Sequence, residues 1–491
     1  MDSIRIKNLR CLADTGDIPI KPLTLLVGAN STGKSTFLRV FPLLRQSVET
    51  KTSSPILWYA GHHGYVDFGT IKGAIRASEE SVSFGYKFKP KGSLSTRLKT
   101  PSDAVSVEMS RRDLNIEIEL IPNKENASQT KISKLTLDFN ENQAVFVFDH
   151  FGKVIRFDIN QRSFINKLGL LEIEQTNLFR LIPIIFDQTD HFHEHYKKNL
   201  VKLLAHLYHK ETSPHSICKM LLEMAGTKPK ELTSELWQKN RPHLTVEEAK
   251  LIRDVSFACL IPSLLQFANE EISKFAKTVQ YIAPSRAVAD RFYRTRDISV
   301  EEIEPHGENL PMYLHSLSSK QKEDLNEWLT KYFNIQVSIR NEGTHLEIMV
   351  SEQGNTSSNN IADIGFGYSE ILPVILTLWS SIHESHKSPS LITIEQPELH
   401  LHPQLQAQLA DVLVQITQSS RIPLMIETHG EAIIDRIGQL IEEGKAERDD
   451  IQVLLFEPDE DKGGIKVRVS QYDEDGCLVN WPYGFFTPNL D

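Results

Sequence analysis

The chain has 491 residues, 40% of them hydrophobic and 24% charged, with a formal net charge of −11. That length predicts roughly two to four structural units, and these ordinary fractions exclude a disordered or fibrous chain. The acidic balance argues against a protein coated in nucleic acid, although a local basic patch stays compatible with it. The four cysteines, Cys11, Cys218, Cys259 and Cys477, have no metal-ligand spacing and read as reduced thiols. No leader segment precedes the first strand and no apolar run approaches a membrane span, so the expected compartment is the cytoplasm, with no membrane partner.

In chain order, residues 3–9 alternate polar and apolar as a strand does. Pro19 and Pro22 punctuate the approach to a second strand, residues 23–27 (Leu-Thr-Leu-Leu-Val), which reads as buried. It runs into Gly28-Ala29-Asn30-Ser31-Thr32-Gly33-Lys34-Ser35-Thr36, which fits G-x-x-x-x-G-K-[ST], a loop that cradles nucleotide phosphates. Residues 35–48 read as the helix that such a loop opens, with Phe37, Leu38, Phe41 and Leu44 on its apolar face. Gly28 and Gly33 let backbone N–H groups turn toward an anion. Lys34 is expected to reach the β- and γ-phosphates, and the Ser35 hydroxyl to ligate Mg²⁺. A loop rich in glycine and aromatics occupies residues 58–69; its adjacent His62 and His63 suit opposite faces better than one metal.

From residue 81 to 160 the pattern turns to strands, with alternation at 115–120, 135–139 and 144–148 and turn-rich pieces such as 122–126 between them. An antiparallel sheet is expected. Its basic beginning (Lys87, Lys89, Lys91, Arg97, Lys99, Arg111, Arg112) reads as a solvated face rather than a nucleic-acid contact. From 161 to 277 the period is helical. His191, His193 and His195 would share a face on a strand but not on a helix, so a polar helix surface is expected there. No long heptad array is present, which excludes a coiled-coil arm. Arg286, Arg291, Arg294 and Arg296 then lie within eleven residues, either to meet phosphates or to pair with the acidic run Glu301-Glu302-Ile303-Glu304.

A second chemical cluster begins at Asp363-Ile364-Gly365-Phe366-Gly367-Tyr368-Ser369-Glu370, a glycine-rich turn opening the apolar helix 371–379. Next, residues 391–394 (Leu-Ile-Thr-Ile) form a strand that ends in Glu395, continuing into Gln396-Pro397-Glu398-Leu399-His400-Leu401-His402-Pro403. A carboxylate at a strand end beside the phosphate loop can hold Mg²⁺ through water. After a helix over 404–417, a strand over 423–429 ends in His429, placed to sense a γ-phosphate. His400 and His402 read as packing or capping residues. Asp459-Glu460-Asp461 reads as a solvated turn.

The order of phosphate loop, glycine-rich signature, acidic strand end and histidine resembles ABC-type ATPases, and more narrowly the RecF-like and OLD-like branch. That branch includes ATPase subunits of anti-phage systems such as PARIS, Septu and some retrons. The matching stretches are GANSTGKST, IGFGYSE, ITIEQPELHLHP and IETHGE, and the tail from Asp475 to Phe486 also looks like that of stand-alone members. The similarity covers roughly residues 1–75 and 280–491. It implies an α/β fold: an ABC-type P-loop ATPase head with a mixed sheet, interrupted by a β-rich and an α-helical insertion. The expected division is 1–80 and 278–491 for the head, 81–160 for the β-rich insertion and 161–277 for the helical one.

The resemblance implies ATP and Mg²⁺ as ligands. Gly28, Asn30, Ser31, Thr32, Gly33, Lys34, Ser35 and Thr36 would bind nucleotide, Ser35 and Glu395 would support the metal, and His429 would be the switch. Gly367 and Ser369 would touch the γ-phosphate of a nucleotide held by a second subunit, in a homodimer or a larger homo-oligomer. Such ATPases imply a regulatory role: a phage protein or nucleic acid as trigger, and a separate effector, a nuclease or toxin, that the ATPase holds or activates. Alternatives are a DNA-repair or DNA-clamping ATPase and an OLD-like nuclease; only 62 residues lie beyond His429, too few for the appended nuclease domain of OLD proteins. Two departures stand out. Gly367-Tyr368-Ser369 does not reproduce the family's serine before two glycines. Gln396 occupies the position of the catalytic glutamate and cannot accept a proton as a carboxylate does. Glu398 could substitute, hydrolysis could be slow and the protein an ATP-held switch, or the residue could be an engineered trap.

Overall fold

The structure is a computed structural model, and it describes all residues except 62–63, 98–103, 110–111, 127–128, 166–180, 183–189, 208–212, 225–244, 296–299, 353–356, 384–387, 460–462 and 483–491. The histidine pair at 62–63 and most of the 459–461 turn fall outside it. Contacts divide the chain into two compact units, residues 1–19 with 43–277 and residues 20–42 with 278–491. Residues 1–19 and 43–80 thus group with 81–277 rather than with the second half of the head, as the sequence had suggested. The reason lies in strand pairing: Ser3–Leu9 forms an antiparallel ladder with Val82–Phe88.

The first unit holds an antiparallel sheet. Its strands run, neighbour by neighbour, Arg162–Ser163, Val154–Ile159, Asn142–Phe148, Thr130–Phe139, Leu114–Pro122, Val82–Phe88, Ser3–Leu9 and Leu12–Asp14. The period-2 pattern dictates the burial: Leu114, Ile116, Ile118 and Leu120 are buried while Asn115, Glu117 and Glu119 between them are not. Among the described residues the helices Asp190–Lys202, Pro214–Met224 and Val246–Lys277 come next. The stretch from His191 to His195 is helical, as expected; its side chains lie outside the described residues. Val246–Lys277 is long and apolar enough to cross a membrane by length and composition, against the expectation of no such run, yet 67% of its most apolar window is buried within the fold. That burial is what a core helix shows.

The second unit is built on a sheet ordered Ile465–Tyr472, Ile451–Pro458, Leu23–Gly28, Leu424–Glu427, Leu391–Glu395 and Val279–Ile282. All these pairings are parallel except that between Ile465–Tyr472 and Ile451–Pro458. Every residue of Leu23–Gly28, Leu391–Glu395 and Leu424–Glu427 is buried, as parallel strands covered on both faces require. The phosphate-loop helix is split in two, Lys34–Leu38 and Val40–Glu49, with Arg39 between them, where one continuous helix was expected. The apolar helix after the glycine-rich turn runs from Phe366 to His383, longer at both ends than expected. A smaller sheet pairs Ile335–Glu342 with His345–Glu352 beside Ser319–Phe333, a helix whose capping box joins Ser318 and Gln321.

Candidate functional site

In a parallel sheet of this kind, loops at the carboxyl ends of the strands carry the chemistry. Leu23–Gly28 delivers the phosphate loop. Gly28 is required there because a Cβ would meet the Phe456 carbonyl oxygen at 2.6 Å and Thr32 Oγ1 at 2.8 Å. Gly33 and Ser31 take positive φ, 90° and 65°, and Thr32 Oγ1 donates to the Ala29 carbonyl at 2.8 Å. Lys34 is 3% exposed, and its Nζ donates to the carbonyls of Gly28 at 3.0 Å and Ala29 at 2.7 Å. Burial lowers its pKa from the ordinary lysine value, and the charges of Glu427 and Glu398 partly restore it.

Two acids stand side by side at the ends of neighbouring strands, because Glu395 and Glu427 are in register across the parallel pairing. Their partners differ. Glu395 accepts from Arg39 Nε at 2.7 Å and Nη2 at 2.8 Å, a bidentate pair, and from the Tyr281 hydroxyl at 2.7 Å. Burial works against the Arg39 charge, but the bonds to Glu395 outweigh it and hold the guanidinium pKa above its ordinary value. Glu427 accepts instead from the Ser35 hydroxyl at 2.9 Å, and its second carboxylate oxygen is buried with no hydrogen-bond partner. Burial pushes the Glu427 carboxyl up to about 7; the Ser35 bond pulls the other way, and the neighbouring Glu395 charge raises it further.

Gln396 sits at φ 44°, a left-handed conformation uncommon for a side chain of this size, with its N–H donating to the Glu427 carbonyl at 2.8 Å. Glu398 is buried. One of its oxygens accepts the backbone N–H of His429 at 2.6 Å, so it ties the acidic loop to the histidine turn; burial raises its pKa. His429 itself is exposed, and partial desolvation, with the Lys34 charge second, lowers its pKa. Gly367 approaches this loop closely, since a Cβ there would lie 3.4 Å from the His400 carbonyl oxygen. Ser369 is 7% exposed, so of the two signature residues Gly367 has the more open position. His402 caps the helix Pro403–Ser420 by accepting the Gln404 N–H on its ring nitrogen.

The arginine cluster has a role that neither expectation covered. The Arg286 side chain is fully buried; it donates to the Glu395 carbonyl at 2.8 Å and pairs with Glu370 at 3.4 Å. Arg291 pairs with Asp363. Neither pairs with the acidic run, and Arg296 lies outside the described residues. Glu427 and Arg39 were residues of this cluster that the sequence reading missed; Glu427 carried the same signal as Glu395, an acid ending an apolar strand.

Among the described residues no group of three or more His, Cys, Asp or Glu could hold a metal alone. A Mg²⁺ ion needs only one or two carboxylates when phosphates and water complete its shell. The unpartnered Glu427 oxygen beside Ser35 fits that demand.

Residues 1–434 match the family described as AAA ATPase domain. No curated protein matches the sequence significantly. Among solved structures, an SMC head domain from Thermotoga maritima aligns over 96% of this chain and 98% of its own at 7% identity, TM-score 0.35. An Smc head domain with an extended coiled coil, bound to the C-terminal domain of ScpA derived from Pyrococcus furiosus, aligns over 95% of each chain at 11% identity, TM-score 0.36. Likenesses this remote carry no argument about what this chain binds. The family match over 434 residues does identify it: the chain belongs to the AAA ATPase domain family, and it is an α/β P-loop ATPase.

Proposed function

We propose that this chain is a regulatory ATPase whose bound ATP, with Mg²⁺, holds a conformational state, and whose turnover is slow. The observation that carries this reading is Gln396 at the end of the acidic strand, beside an otherwise complete phosphate loop. A neutral amide there cannot take the proton of an attacking water. Glu398, the next acid after it in sequence, already spends one oxygen on the His429 backbone, which suits it to positioning His429. Lys34 would hold the β- and γ-phosphates, Ser35 and an acid beside it the metal, and His429 would report the γ-phosphate. Bound Mg²⁺ would neutralise phosphate charge.

A nucleotide shifts a population between states by its differential affinity, so such a switch needs a protein to act on. By resemblance to the anti-phage branch, that protein is a separate nuclease or toxin, the trigger is a phage protein or nucleic acid, and the ATPase works in the cytoplasm as a homodimer or larger assembly. The signature loop at Gly367 would then face a nucleotide held by a second copy. Purified alone, the chain should hydrolyse ATP and leave DNA and RNA intact, and Gln396→Glu should speed turnover while Glu398→Ala should not slow it. Expressed with its neighbouring gene, it should protect cells from phage only while Lys34 is present. Metal-dependent nucleic-acid cleavage by the pure chain would sink this reading in favour of a nuclease, and DNA-stimulated hydrolysis without protection would favour a DNA-clamping ATPase.

A further inference from the structure

The two carboxylates at the strand ends are in register, yet only one of them is available to a cation. Glu395 has Arg39 on both oxygens, the Tyr281 hydroxyl on one, and Arg286 on its own carbonyl. An approaching dication would meet a guanidinium held by two charge-assisted bonds, the strongest class of side-chain hydrogen bond. Among the described residues no arginine is hydrogen-bonded to Glu427. One oxygen takes the hydroxyl hydrogen of Ser35, the residue that the phosphate loop offers to a metal, and the other is buried and unpartnered. Such an orphaned acceptor is costly unless something completes it. We infer that the acid that joins Ser35 in holding Mg²⁺ is Glu427, and that Glu395 serves as the anchor of Arg39 and Arg286 rather than as the metal acid. The charged groups around the Glu427 carboxylate are Lys34, Arg39 and Glu395.

This inference rests on the nucleotide site proposed above, and its test separates the two. The full chain is titrated with ATP by calorimetry in EDTA and in Mg²⁺, and with Mn²⁺ in the presence of ATP by electron paramagnetic resonance. Glu427→Gln should cost about tenfold to a hundredfold in Mn²⁺ affinity, the usual penalty for disturbing a metal's immediate support, and should remove the gain that Mg²⁺ adds to ATP binding. Glu395→Gln should keep that gain. Ser35→Ala should lose it too, and Ser35→Ala combined with Glu427→Gln should lose no more than the larger single loss, because the pair acts as a unit. If Glu427→Gln does not fold by circular dichroism, Glu427→Asp, which withdraws the carboxylate by one methylene, should lower Mn²⁺ affinity in the same titration. Unchanged Mn²⁺ affinity in the Glu427 variants, or an equal or greater loss in Glu395→Gln, would overturn the assignment. Failure of the wild-type chain to bind ATP in EDTA and in Mg²⁺ alike would instead overturn the nucleotide site itself.

Discussion

The antiparallel sheet of the first unit and the parallel strands of the second handle charge in opposite ways. In Leu114–Pro122 polar and apolar residues alternate, so Glu117 and Glu119 stand along one face. Glu117 meets Lys7 at 2.7 Å with both side chains about a third exposed. In Leu23–Gly28, Leu391–Glu395 and Leu424–Glu427 every residue is buried, and the ionisable groups of these three strands are two, Glu395 and Glu427, both at carboxyl ends. Alternation spreads ion pairs where water screens them. Continuous burial gathers charge at one edge, where each carboxylate depends on the partner that the fold brings to it.

The contrast is sharpest at Lys34. It is the fixed cation of the phosphate loop and is buried among backbone carbonyls. Lys34→Ala should abolish ATP binding by calorimetry, whereas affinity within about threefold of wild type, well under 1.4 kcal/mol, would break the P-loop assignment. Arg39→Met should leave the 2%-exposed Glu395 side chain without its countercharge, and breaking one side of a buried pair costs about 3–5 kcal/mol. Urea unfolding should show that loss, and Arg39→Met with Glu395→Gln should recover much of it. A cost below about 1 kcal/mol would mean that the strand-end pair behaves as a surface one.

The phosphate loop, the buried strands on either side of it and the acid and histidine at two of their ends were legible because each rests on a local pattern. The alternating strands of the first unit were legible for the same reason. What could not be read was partnership. Ser35 and Glu427 are 392 residues apart, and Arg39 and Glu395 are 356 apart, so no window on the sequence contains either pair. Which of two acids of the same type at equivalent strand ends carries an arginine is decided by Arg39, from another element. The pairing of the first strand of the chain with one that begins at Val82 was out of reach for a like reason.

Glu427 adds a pH test of the strand-end half of the comparison. Its carboxyl is raised from 4.5 to about 7, burial being the main cause, so the folded chain holds that proton more tightly than the unfolded one. The stability this contributes is complete below the unfolded pKa and is lost as pH rises through about 7, to the extent of at most about 3 kcal/mol. Thermal melting in EDTA should therefore fall more steeply between pH 5 and 8, as round values on either side of that window, for wild type than for Glu427→Gln. Parallel pH profiles would show that the carboxylate is solvated.

The smallest effect is expected on the antiparallel face. Lys7→Met breaks an ion pair of much the same length as the one between Arg39 and Glu395, 2.7 Å in both. The geometry predicts equal effects if distance decides, and unequal ones if burial decides. Glu117, 36% exposed, keeps its hydration when Lys7 is gone. The loss should be about 0.2–1 kcal/mol in urea unfolding and should shrink further in high salt, because exposed pairs are screened within a Debye length. A salt-independent loss above about 2 kcal/mol would place this pair in the same class as the buried one, and the contrast between the two sheets would then have to rest on something other than solvent access.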